Sequence, residues 1–204
     1  MKLYCHYCSF GFSNCYILGA EDQGANDALI IDPGVMDSQI LDYIENRNFN
    51  LAGVLISHDH LNHVHGLRTL MRIYNTKIYA VNRFVREYET YHIKDGDNLK
   101  IGGFQAEVIS IPGHSSDSVV FRIEKMLFTG DVLTAGLAGR TASAYGAALQ
   151  ANTLRSRILS LPGDFTVLPG HGPPSSLEAE RRFNADLSRI ELNRSRRPAF
   201  RLEL

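Results

Sequence analysis

Four histidines fall within the ten residues Ser57-His58-Asp59-His60-Leu61-Asn62-His63-Val64-His65-Gly66. Neutral imidazole is the commonest metal ligand among side chains. Residues i and i+2 of an extended chain point to the same side, so His58 and His60 can grip one ion together. His63 follows as the chain enters a helix and can face a second ion beside the first. Three further segments, Pro112-Gly113-His114, Thr129-Gly130-Asp131 and Pro169-Gly170-His171, each place one potential ligand directly after a glycine. Glycine lets the backbone approach a site closely, and a carboxylate such as Asp131 can bridge two cations. One histidine alone is more often a hydrogen-bonded structural residue. Five histidines and an aspartate, all at the ends of apolar runs or in the turns after them, argue for a metal centre. Zinc is the expected ion, in one or two copies, and iron or manganese suits the same donors. Such a centre lowers the pKa of bound water to about 7, and two ions about 3.5–4 Å apart can share a hydroxide and polarise a carbonyl.

Those residues need strands to carry them. Leu3–Tyr7, Asn14–Leu18 and Ala28–Ile31 read as strands, the last stopping at the turn Asp32-Pro33-Gly34. Asp37 or Ser38 can cap a helix with Ile40, Leu41 and Ile44 on one face. Leu51–Ile56 is continuously apolar and rich in branched residues, the pattern of a strand buried on both faces. Leu67, Leu70, Met71 and Tyr74 recur at helical spacing, and Lys77–Val81 reads as the next strand. After a polar stretch at Lys94–Asn98 come strands at Leu99–Ile101, Phe104–Ile111, Ser118–Ile123 and Lys125–Thr129. Gly136–Tyr145 reads as a loop, Asn152–Leu161 as a helix and Phe165–Leu168 as a last buried strand. Ser175 or Ser176 can cap a final helix through Glu178 and Arg181. Each half supplies strands first and helices after. The expected class is α/β (α+β), an αββα sandwich of two mixed sheets flanked by helices, over residues 1–187, with a basic tail at 188–204.

Composition narrows the function. The chain has 204 residues and a formal net charge of −1, which gives no global pull toward nucleic acid or an acidic membrane surface. Its apolar runs are too short to span a bilayer, and the start does not read as a signal peptide. Cys5, Cys8 and Cys15 are an odd, small set that fits free thiols in a reducing, cytoplasmic setting. The expected partner is a small-molecule substrate, with no nucleic acid and no membrane; a strand edge leaves room for a homodimer.

The motifs resemble the metallo-β-lactamase superfamily, and more narrowly its small glyoxalase II-like hydrolases. That family's pattern has the form His-x-His-x-Asp-His, a His after Pro-Gly, then Gly-Asp, then Gly-His. Here these are His58, His60, position 62, His63, His114, Asp131 and His171. Asn14-Cys15-Tyr16, Ile31-Asp32-Pro33-Gly34, Gly139-Arg140-Thr141 and Gly170-His171-Gly172-Pro173 with Glu180 and Asn184 extend the likeness from roughly Ser13 to Leu187. The resemblance implies one ion on His58, His60 and His114, a second on His63 and His171, and Asp131 between them. It also implies hydrolysis of a thioester or similarly activated ester through a metal-bound hydroxide, with position 62 and Asp131 as the catalytic pair.

Position 62 departs from the pattern, since Asn62 stands where the family has aspartate. A neutral amide is a weaker ligand and a poor base. The second site is then weak or empty, or Asp59 lends a carboxylate, or the chemistry has moved to one metal or been lost. Mononuclear iron chemistry, as in the family's persulfide dioxygenases, and a non-catalytic binding protein are the alternatives to hydrolysis. The chain ends too soon after His171 for the glutathione-gripping helical domain of larger glyoxalase II enzymes, and the missing export signal argues against a β-lactamase proper. Asp32 is expected to shape its turn and to lie close behind the metal ligands. His65 is expected to be a helix histidine bonded to solvent or backbone rather than a spare ligand or proton shuttle, His92 an ordinary surface histidine, and Cys5-His6-Tyr7-Cys8 lacks the second cysteine pair of a zinc knuckle.

Overall fold

A computed structural model describes residues 1–20 and 26–187. The basic tail expected at 188–204 lies outside the described residues. The first sheet is built from β1 (Lys2–Tyr7), β2 (Asn14–Gly19), β3 (Asp27–Ile31), β4 (Asn50–Leu55) and β5 (Ile78–Ala80). A small ribbon, β6 (Phe84–Val85) with β7 (Tyr88–Glu89), precedes the sheet's last strand, β8 (Tyr91–His92). The second sheet contains β9 (Asn98–Ile101), β10 (Phe104–Ser110), β11 (Val119–Ile123) and β12 (Met126–Gly130). After a second ribbon, β13 (Leu133–Thr134) with β14 (Leu137–Ala138), it is completed by β15 (Thr166–Pro169) and β16 (Ser175–Ser176). Strand order is β1-β2-β3-β4-β5-β8 in one sheet and β16-β15-β12-β11-β10-β9 in the other. Both sheets are mixed: β3, β4, β5 and β8 run parallel, as do β12 and β15, and the other pairs are antiparallel.

Period-two alternation explains the layering. Tyr16, Leu18, Leu29, Ile31 and Leu55 point between the sheets, where they meet Val108, Val119, Phe121, Phe128 and Leu168. Their neighbours Ile17, Ala28, Ile30 and Val54 point the other way, against Ile40 and Ile44 of α1 (Ser38–Glu45) and Leu67 and Leu70 of α3 (Leu67–Ile73). On the far side, Ile109, Val120, Leu127 and Val167 are covered by Ala151, Leu154, Ile158 and Leu177. Central strands are thus buried on both faces, which is why they read as unbroken apolar runs. Asp37, of the two candidate caps, accepts from the Ile40 amide and starts α1. Ser176 caps α5 (Leu177–Phe183) in the same way. Among the described residues no helix is long and apolar enough to cross a membrane.

One segment departs from expectation. Gly136–Tyr145 is not all loop: it contains β14, and α4 (Ala144–Thr153) begins eight residues before the helix expected from Asn152. The sequence Ala-Tyr-Gly-Ala-Ala-Leu-Gln-Ala-Asn-Thr lacks an apolar stripe, and only Gln150 and Ala151 are buried. Polar contacts hold it instead. Ser143 caps the start through the Gly146 amide, and the Gln150 side chain donates to the carbonyls of Val132 and Gly139. The helix then widens into a π turn at Leu154–Leu159.

Phe121 is fully buried between the sheets. Phe121→Ala should destabilise the fold by about 3–5 kcal/mol; a urea midpoint unchanged from the parent protein would contradict this packing.

Candidate metal centre

The cluster forms along one edge of the sandwich, where both sheets end their strands. β4 runs out through Ile56 and Ser57 into His58, Asp59 and His60. His60 stands at the start of the single turn α2 (Leu61–Val64) in extended backbone, and its ring makes no capping bond. His63 lies inside that turn and is fully buried. His114 follows β10, Asp131 follows β12 and His171 follows β15. Gly170 shows why glycine precedes His171. A Cβ there would lie 2.3 Å from Asp131 Oδ1 and 2.5 Å from His63 Cε1, so a larger residue would displace the cluster.

The structure brings all six expected side chains together in two groups that share Asp131. His58, His60, His114 and Asp131 form one, and His63, Asp131 and His171 the other. In the first group His58 Nε2 is 3.0 Å from His60 Nδ1 and 3.3 Å from His114 Nε2, and His60 Nδ1 is 3.0 Å from His114 Nε2. Asp131 Oδ2 lies 3.8 Å from His58 Nε2, 3.6 Å from His114 Nε2 and 3.5 Å from His171 Nε2. Its other oxygen, Oδ1, is 3.3 Å from His63 Nε2.

The outer nitrogens of the rings decide what the inner ones can do. His114 Nδ1 lies 2.8 Å from the Arg140 carbonyl and His171 Nδ1 lies 2.9 Å from the Phe12 carbonyl. A carbonyl only accepts, so each Nδ1 carries the hydrogen and each Nε2 is left as an acceptor. Asp32 does the same for two more rings. Its buried carboxylate accepts from the Ser57 amide at 2.7 Å and the Ser57 hydroxyl at 2.6 Å, and lies 3.2 Å from His63 Nδ1. With its hydrogen given to Asp32, Ser57 Oγ accepts from His58 Nδ1 at 3.0 Å. Four rings therefore turn Nε2 inward with the opposite nitrogen tied behind, the arrangement that orients imidazole toward a metal.

Charge is tuned accordingly. Burial, with His63 beside it, pushes His58 down to about 3, and burial with His114 lowers His60, so both rings are neutral at pH 7. Burial acts against the charge on His63, but the Asp131 and Asp32 carboxylates outweigh it and raise His63 to about 9. Burial likewise opposes ionisation of Asp131, but His63 and its neighbours outweigh it and hold the carboxyl well below the usual range. His63 Nε2 and Asp131 Oδ1 still lack aligned hydrogen-bond partners, although buried. Facing lone pairs, a carboxylate shared by both groups and orphaned buried atoms together fit a metal cation. Nitrogen and oxygen donors of this kind suit several first-row metals.

Other candidates separate cleanly. Asp59 belongs to neither group; its amide donates to Asp117 Oδ2, and burial and Asp117 raise its carboxyl pKa. His65 stacks on Phe10 at 4.2 Å between ring centroids, and the exposed His92 ring contacts the Val81 carbonyl. Cys5, Cys8 and Cys15 are all free. Sequence reasoning missed Ser57 as the link between Asp32 and His58, and the carbonyls of Phe12 and Arg140 as anchors. Backbone carbonyls leave no mark in residue identity.

An αββα sandwich with a histidine and aspartate cluster at its strand ends defines a class of metal-site protein, and the comparisons identify which one. The metallo-beta-lactamase superfamily model matches residues 8–171, and the chain belongs to that superfamily. It is 28% identical to the hydroxyacylglutathione hydrolase GloC of Haemophilus influenzae, over 86% of this chain and 92% of that protein. It is 30% identical to the human mitochondrial persulfide dioxygenase ETHE1, over 85% of this chain and 70% of that one. The crystal structure of the B3 metallo-beta-lactamase BLEG-1 superposes with a TM-score of 0.79 at 25% identity, covering 92% of this chain and all of that one.

Asp32→Asn keeps the size of the residue and removes the charge behind His63 and Ser57. It should weaken zinc binding by about 10- to 100-fold in a chelator competition; unchanged affinity would show that Asp32 does not orient these rings.

Proposed function

We propose that this protein is a metal-dependent hydrolase of a thioester or similarly activated ester. The observation that carries the reading is the set of inward Nε2 lone pairs converging on one shared carboxylate, open to solvent on the side of His60, His114 and His171. His58, His60, His114 and Asp131 would hold one cation, and His63, Asp131 and His171 could hold another. A cation bound there supplies a water of pKa about 7 as nucleophile and polarises the acyl carbonyl.

The chain's own residues shape what reaches that point. A recess of about 250 Å³ lined by Thr134, Leu137, Ala138, Gly139 and Arg140 opens beside His114, Asp131 and His171. Its wall suits the apolar part of an acyl group. The buried Glu180 carboxylate accepts from the Gly136 amide, from Ser175 Oγ and from Asn184 Nδ2, which fixes the ribbon that forms this wall. The relative named as a hydroxyacylglutathione hydrolase supports thioester chemistry. The three free thiols support a reducing, cytoplasmic setting, and a small molecule is the partner this recess would take.

One observation favours a second reading. Asn62 puts no carboxylate beside the second group, and a persulfide dioxygenase is among the relatives. A mononuclear iron enzyme would consume oxygen with a persulfide and leave thioesters intact.

The purified protein should hydrolyse a generic thioester only when loaded with metal, and His58→Ala should reduce the rate to background while the circular dichroism stays unchanged. Full activity in that variant would contradict the proposal. Oxygen uptake with a persulfide, and no ester turnover, would replace it by the second reading.

A further inference from the structure

We propose that Asn62 makes the two halves of the centre unequal: its amide N–H caps His171, so the chain holds one divalent cation tightly and a second only weakly. The first cation sits on His58, His60, His114 and Asp131. The inference rests on the metal centre itself and is independent of which substrate is turned over.

The orientation of the Asn62 amide follows from its partners. His171 Nδ1 faces the Phe12 carbonyl at 2.9 Å and carries the ring's hydrogen, so His171 Nε2 is an acceptor. Asn62 Nδ2 lies 2.8 Å from that Nε2. An amide oxygen in its place would set one acceptor against another, whereas the NH2 group makes a hydrogen bond. The lone pair that His171 would give to a second cation is therefore already used. His63 and Asp131 remain, and two donors fall short of the four that zinc usually takes. Among the described residues no side-chain amide faces the four donors of the first group, whose ring nitrogens contact one another instead.

Asn62 is also held in place. Its backbone carbonyl accepts from Ser13 Oγ at 2.6 Å. A Cβ on Gly11 would come within 2.4 Å of Asn62 Cβ, and Gly11 takes φ +68, a left-handed conformation that glycine adopts without strain. The loop thus packs directly against Asn62 and leaves rotation of the amide as its freedom. Loading the second group requires that rotation. It breaks the bond to His171 and offers a neutral oxygen, a weaker ligand than a carboxylate. Aspartate has the same size and offers no N–H, so Asn62→Asp converts the cap into a ligand without enlarging the side chain.

The test is zinc stoichiometry on the full chain. Chelator-stripped protein is titrated with zinc in a calorimeter, and retained metal is measured after desalting. The parent protein should bind one equivalent tightly and a second at least about 10- to 100-fold more weakly, with one retained. Asn62→Asp should retain two, Asn62→Asp with His171→Ala should retain one, and His171→Ala alone should keep the tight equivalent. Two equivalents of equal affinity in the parent protein would overturn the proposal, a result that does not depend on how any variant folds. Folded Asn62→Asp retaining a single equivalent would overturn it as well. Hydrolysis plays no part in these readings, so failure here and failure of the hydrolase reading are distinguishable.

Discussion

Imidazole lone pairs set against one another need a positive charge between them, and much of this fold arranges that confrontation. His58, His60 and His114 bring three ring nitrogens to within 3.0 to 3.3 Å of one another. Two of those nitrogens are bare because the opposite side of each ring is tied to an acceptor. In the neutral state the three share at most the one hydrogen of His60. A cation resolves the conflict, and without it the rings would tend to turn away. The anchors behind them, Asp32, Ser57 and the carbonyls of Phe12 and Arg140, are therefore as necessary to the centre as the ligands.

The same edge also joins the two sheets. Asn14 of β2 donates its side-chain amide to the carbonyls of Pro169 and Gly172, and Tyr16 donates its hydroxyl to Pro169. The Val119 amide of β11 donates to the Ser57 carbonyl just beyond β4. These bonds bracket His58 and His171, one from each half of the chain. A metal centre assembled from segments so distant in sequence needs its halves fixed in register, and the polar stitches do this where the apolar interlayer ends. Buried groups satisfied in this way also restrict alternative packings, since displacing one would leave its partner unpaired.

Much of this was legible in the sequence because its causes are local. Leu51–Ile56 announced a strand buried on both faces, and the His58-x-His60 spacing announced a shared side. The groups at His114, Asp131 and His171 stood out because glycine preceded each. What the sequence concealed has non-local causes. Helix α4 has no apolar stripe and depends on Ser143 and on Gln150 reaching carbonyls of another segment. The tautomers of His114 and His171 are set by main-chain atoms of Arg140 and Phe12, which any residue at those positions would supply. Asn62 was visible as a departure, but its bond to His171 required three-dimensional proximity across more than a hundred residues.

The side-chain geometry fits a metal ion among these imidazoles. X-ray absorption at the metal edge of zinc-loaded protein tests it most directly. The expected spectrum has a first shell of nitrogen and oxygen at about 2.0–2.1 Å with the outer-shell scattering of several imidazoles. A sulfur shell at about 2.3 Å would place the ion on the cysteines near the start of the chain and contradict it.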